Sequence, residues 1–148
     1  MTTISSSEHV RLKLFARDAA DIEVMSAYVQ DMVLQVADMA HVSDQKRFVL
    51  LGNRFCWEDE EHPMRVRTAL QIANVQKSQV KNIELAHGEA ILSILALTFE
   101  PEDALAGHLR IIFAAGGEIR LAVEACEAIL EDISDAWLAR SRPTHEID

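Results

Sequence analysis

The sequence predicts an α+β fold: a curved antiparallel sheet forming a partly open barrel, one early helix, and an amphipathic helix at the C-terminus. Three observations carry that expectation. Apolar residues recur with period 2 in several short stretches, most cleanly in "MRVRTALQIANV" (64–75), and period 2 marks strands with one buried face. These stretches follow one another through short turns, which antiparallel pairing allows and parallel pairing does not. Near residues 18–30 and beyond 123 the apolar spacing changes to that of a helix.

Taken in order, residues 1–9 ("MTTISSSEH") read as a flexible arm. "VRLKLFA" (10–16) alternates, with Val10, Leu12 and Leu14 on one face and Arg11 and Lys13 on the other. In the next stretch Asp18 suits an N-cap, and Asp21 lies in the first turn, where a carboxylate favours the helix dipole. Ile22, Met25 and Val29 then share a face, so a helix is expected over about 18–30. "MVLQVADMAHV" (32–42) is moderately strand-like.

In "KRFVLLGNRFCWE" (46–58), Phe48 and Leu50 are in phase, as are Phe55 and Trp57, but the parity changes across Gly52-Asn53. A two-residue hairpin or a glycine bulge would each produce that change. "EDEEHP" (58–63) is a charged loop. In the stretch after it, Met64, Val66, Thr68, Leu70 and Ile72 face the core, with Arg65, Arg67, Ala69, Gln71 and Ala73 opposite. "AILSILALTF" (90–99) has the composition of a strand covered on both faces, although a buried helix shares it. "EPEDALAG" (100–107) reads as a loop or a short turn of helix.

"HLRIIFAAGGEIRLAVEACEAILEDI" (108–133) reads as strand, tight turn, strand, helix. Gly116-Gly117 supplies the positive φ that a tight reversal wants. Past Val123, the residues Cys126, Ile129, Leu130, Ile133 and Trp137 form a helical stripe, with Glu124, Glu127, Glu131, Asp132 and Asp135 on the wet face. A hairpin running into a terminal helix is the closing layout of pleckstrin-homology-like (PH-like) domains. The tail, 140–148, lacks any period after Pro143 and reads as frayed, which leaves one domain over 10–139.

Composition narrows the function classes. The chain has 148 residues, of which 49% are hydrophobic. A domain of that length buries roughly 70% of its unfolded surface, enough for its own core. Its net charge of −10 and the lack of a basic stripe argue against nucleic acid, where phosphate neutralisation supplies most of the affinity. The longest apolar run, 90–99, is too short to span a bilayer, which takes about 20 residues. A polar serine run stands where a secretory signal would be apolar, so a cytoplasmic protein without membrane insertion is expected. Cys56 and Cys126 have no metal-ligand spacing and read as small core residues.

Motifs of chemistry are sparse. There is no GxGxxG or GxxxxGK, and Gly116-Gly117 leads into a strand, so no helix N-terminus is offered to a phosphate. His9, His41, His62, His87, His108 and His145 share no ligand spacing, and no nucleophile motif occurs. No catalytic residue, cofactor or metal is therefore expected. One cluster stands out: Lys46, Arg47, Arg54, Arg65 and Arg67. Arginine forks grip carboxylates and phosphates bidentately, so Arg47, Arg54, Arg65 and Arg67 are candidates for an anion or an acidic partner. The competing expectation is that the "EDEE" loop neutralises them as surface ion pairs of little energy.

The segments "KRFVLLGNRFCWE", "SILALTFEP", "IIFAAGGEIRLAVEACEAILEDI" and the closing "W…RPTHEID" together resemble an uncharacterised alphaproteobacterial family, domain of unknown function 2948. The resemblance runs from about Leu12 to the C-terminus. It implies a small bacterial protein of unknown activity and carries no site residues with it. The function expected from the residues is a non-catalytic cytoplasmic interaction module that meets another protein through a sheet edge or the arginine cluster. The alternative is an enzyme or small-ligand binder whose site is assembled from residues distant in sequence.

Overall fold

A computed structural model describes residues 10–144. The expected arm at 1–9 and the last residues of the expected tail, 145–148, lie outside the described residues. The chain opens with β1 (Lys13–Ala16) and α1 (Ala19–Val29), then β2 (Val33–Gln35), β3 (Met39–Val42) and β4 (Arg47–Phe55). Next come β5 (Met64–Ile72), β6 (Val75–Lys81), β7 (Ile91–Pro101), β8 (Gly107–Phe113) and β9 (Glu118–Val123). It closes with β10 (Ala128–Asp132) and the short β11 (Trp137–Leu138).

All strand pairs are antiparallel, in the order β1-β10-β5-β4-β2-β7-β8-β9-β6. β3 adds to β4 and β11 to β5. The two ends of the path, β1 and β6, do not pair, so the sheet is open. α1 lies mainly on β7 and sends Ile22, Met25 and Val29 into the core. Its start is as expected: the Asp18 carboxylate accepts from the Asp21 N–H at 2.8 Å. The β8–β9 reversal is also as expected, with Gly116 at φ +85° and the Phe113 N–H donating to the Gly117 carbonyl.

Three expectations are corrected. First, residues 123–139 form no helix. Ala128, Leu130 and Asp132 point inward while Ile129 and Glu131 point outward, and β10 fills the gap between β1 and β5. A helix would satisfy its own backbone but leave the facing edge of β5 without partners. Ile133 and Trp137, assigned to the buried stripe, are 44% and 39% exposed. The PH-like layout rested on that helix and loses its support.

Second, β4 runs straight through Gly52-Asn53 with unbroken register against β5, so neither a hairpin nor a bulge is present. Phe48, Leu50, Gly52 and Arg54 all face inward. The apparent parity change arose because the inward place after Gly52 belongs to an arginine. Gly52 itself admits a close neighbour: a Cβ there would stand 2.8 Å from both the Met32 side chain and the Val33 carbonyl.

Third, β7 is a strand but is not covered on both faces. Ile91 and Leu95 are exposed, and the register against β8 slips between Ile94 and Ala96, which leaves Leu95 as the extra residue.

The core is divided. A large cluster includes Leu50, Leu70, Ile72, Leu109, Ile111 and Leu130, and a small one holds Cys56, Met64, Val66 and Ala136. Along the inward face of β5, Thr68 stands between Val66 of the small cluster and Leu70 of the large one.

Candidate functional site

Arg54 and Asp132 occupy the polar layer at Thr68, both fully or nearly fully buried. The Arg54 fork donates to Asp132 from Nε (3.1 Å) and Nη2 (2.9 Å), and to Glu58 from Nη1 and Nη2 (2.9 Å each). Asp132 also accepts from the Thr68 hydroxyl (2.9 Å) and the Leu12 N–H (2.8 Å). One carboxylate thereby joins β10 to β4, β5 and the segment leading into β1. Burial alone would lower the Arg54 pKa, but its two carboxylates hold it above the ordinary arginine value. Burial likewise pushes the Asp132 carboxyl up, and Arg54, Leu12 and Thr68 together bring it below the ordinary carboxylate value. With its fork occupied by carboxylates, Arg54 acts as a cross-brace and does not face a partner.

The other three candidates project from the outer face. Arg47 reaches the Gln71 amide oxygen at 3.5 Å. It lies six residues along β4 from Asn53, roughly 20 Å at strand rise, so it does not join the rest. Arg65 and Arg67 share the outer face of β5, as period 2 requires. Arg67 donates to the Asn53 side chain (3.3 Å), with the Asp38 carboxylate at 3.9 Å. Arg65 donates from Nη1 to the carbonyls of Asp31 (3.1 Å) and Asn53 (2.9 Å). Glu58 of the "EDEE" loop holds Arg54; among the described residues, no carboxylate of that loop lies within ion-pair distance of Arg65 or Arg67.

A further arginine was missed by the sequence reading, which left it in the frayed tail. β11 ties the chain to β5 by pairing Trp137 with Arg65, and the Ala139 N–H donates to the Pro63 carbonyl (2.7 Å). Arg142 is thereby carried back over the charged loop. It donates from Nη2 to the carbonyls of Asp59 (3.3 Å) and Glu60 (3.2 Å). The guanidiniums of Arg65 and Arg142 both contact the Phe55 ring, at 5.6 and 5.3 Å from its centroid. Trp57 meets the same ring edge-on at 4.6 Å and anchors its indole N–H on the Gln30 carbonyl. No local signal marked Arg142, because Trp137 fitted a helical stripe and the residues after it have no period.

Two guanidiniums thus converge on one ring and spend a single nitrogen each on backbone carbonyls. Each retains N–H donors on its other nitrogens. Burial pulls the Arg65 guanidinium below its ordinary value, and the Asp31 carboxylate offsets this in part. A half-desolvated cation of this kind is stabilised by an incoming anion.

The remaining candidates for chemistry are inert or scattered. Both cysteines are free and buried, and burial pushes their thiols up to about 12 (Cys56) and about 11 (Cys126), far from the thiolate form a nucleophile needs. Among the described residues, no group of three or more potential ligands is placed to hold a metal, and no helix is long and apolar enough to cross a membrane.

A family model described as "Protein of unknown function (DUF2948)" matches residues 12–145. No curated protein and no solved structure matches the chain.

Proposed function

The chain belongs to the DUF2948 family of unknown function, and we propose that it is a non-catalytic interaction module of the cytoplasm that binds an acidic segment of another protein. The contact surface is the outer face of the β4–β5 hairpin, with Arg65, Arg67 and Arg142 as anion-binding groups. The observation that carries this reading is the pair of guanidiniums on Phe55 that hydrogen-bond to backbone carbonyl oxygens. Arginine forks with spare donors suit bidentate recognition of carboxylates. The attraction is local: the chain as a whole is acidic, and fields at exposed sites fade over about 8 Å at physiological salt. The free state of both cysteines supports a reducing compartment.

Affinity capture from the native cell tests the reading, with wild-type, Arg67→Glu and Arg142→Glu chains as baits. A protein recovered by wild type should be lost from both variants while each keeps the wild-type circular-dichroism spectrum; a lower thermal midpoint is expected, because Arg67 and Arg142 are half-buried and give up hydrogen bonds on substitution. Recovery of the same proteins by all three baits, or of none above the bead control, overturns it.

A further inference from the structure

We propose that the segment bound on the outer face of the β4–β5 hairpin is an amphipathic helix of another protein, about four turns long, with carboxylates at both ends of an apolar stripe. This rests on the reading of an acidic partner and states the form that the partner takes.

The middle of the face is apolar. A sheet face turned to water reads polar at its outward positions. Here the outward positions are Val49 and Leu51 of β4, Ala69 of β5 and Ile129 of β10. Register sets them side by side, with Leu51 opposite Ala69, and with Val49 and Ile129 on either side of Gln71. They belong to neither core cluster. Ile133, 44% exposed, extends the row beside Arg67, whose carbonyl accepts from its N–H at 2.7 Å. Glu131, opposite Ala69, pairs with Lys13 at 3.8 Å.

Arginines bracket this row. Arg47 precedes Val49 on β4, and Arg67 and Arg65 lie beyond Ala69 at the Phe55 end of β5. Arg67 stands opposite Asn53, so Arg47 and Arg67 are separated by roughly 20 Å of strand. That distance keeps Arg47 out of the group at Phe55, but it is the length of an α-helix of about 13 residues. Carboxylates in the first and last turns of such a helix meet guanidiniums at both ends.

The strands themselves select a helix over an added strand. β5 has β4 on one side and β10 with β11 on the other, and β4 has β2 and β3 on the side away from β5. A segment held by these arginines therefore lies on the face of the sheet. An extended chain laid on an apolar face buries backbone groups that have no partners. A helix bonds its own backbone and presents apolar residues at i, i+3, i+4 and i+7, and a helix is the usual cover for an apolar sheet face.

Three alanine-based peptides of about 16 residues are titrated into the full chain. The first has leucines on one helical face of its middle turns and glutamates in its end turns. The second has glutamines for the glutamates. The third keeps the glutamates and redistributes the leucines so that no stripe forms. Binding is read from the fluorescence of the chain's two tryptophans, because Trp57 packs on Phe55 and Trp137 stands opposite Arg65. The first peptide should saturate, bind about tenfold more tightly than either of the others, and gain helical circular dichroism on binding. Ile133→Ser, at an exposed position, and Arg47→Glu should each weaken it about fivefold with the dispersed amide spectrum kept. Equal binding of the first and third peptides, or unchanged binding of the first by Ile133→Ser or Arg47→Glu, overturns the helix and leaves the acidic-segment reading standing. Binding that never saturates, or that Arg67→Glu leaves unchanged, overturns both.

Discussion

Asp132 concentrates more of the fold than any other side chain in the polar layer, because four donors from three other parts of the chain end on it. Removing one partner from a buried pair costs about 3–5 kcal/mol where it strands the other charge. Glu58 still holds Arg54, so Asp132→Asn should lose about 3 kcal/mol or less in urea unfolding at pH 7. The pH dependence has a definite sign. The folded carboxyl is held below its ordinary value, so its contribution is full above the unfolded value of about 3.9 and is lost as pH falls through the lower folded value. The gap between wild type and Asp132→Asn should be constant from pH 7 to about 4 and shrink below that. A gap that persists unchanged to pH 2 would show that the charge of Asp132 is not what stabilises this layer.

At the scale of elements, β10 decides the architecture. It pairs with β1 on one side and β5 on the other, and its Leu130 is fully buried in the large cluster. Leu130→Ala should cost about 2–5 kcal/mol, as buried leucine truncations do; a loss under about 0.5 kcal/mol in urea would show that β10 is not seated in the core. The stripe Cys126, Ile129, Leu130, Ile133, Trp137 fits helical spacing, yet Ala128, Leu130 and Asp132 fit strand spacing in the same stretch. Local pattern left the two periods in competition. The open edge of β5, which no local window contains, decided between them. The outer arginines belong to this scale as well: Arg65 and Arg67 were placed on one face by their spacing alone, while Arg142 joins Phe55 only because β11 folds back.

For the whole molecule, the openness of the sheet sets a gradient of local stability. β4, β5 and β8 have neighbours on both sides, whereas β6 pairs on one side only. Amides with ladders on both sides open mainly with the global transition, and edge strands open locally. Hydrogen exchange should then be slowest in β4, β5 and β8, faster in β6, and fastest in the loop over 82–90. Uniform protection across β6 and β5 would mean that the seam between β3 and β6 is closed in solution. The same experiment repeated with a captured partner should slow exchange at the Phe55 end of the β4–β5 hairpin.

Period-2 alternation in residues 64–72, the Asp18 cap before a helical face, and the glycine pair after β8 act within a few residues, and each was legible in the amino-acid order. So was the shared outer face of Arg65 and Arg67, because alternation is a property of the strand itself. Three things depended on contacts far apart in the chain. Arg54 took an inward place in β4 because a carboxylate 78 residues away compensates its charge. Residues 128–132 became a strand because two edges awaited a partner. The contact of Ser78 with His41 formed because β3 and β6 approach without pairing. Spacing reports on neighbours along the chain, whereas burial of a charge, completion of an edge and the width of a seam depend on groups that only the folded sheet brings together.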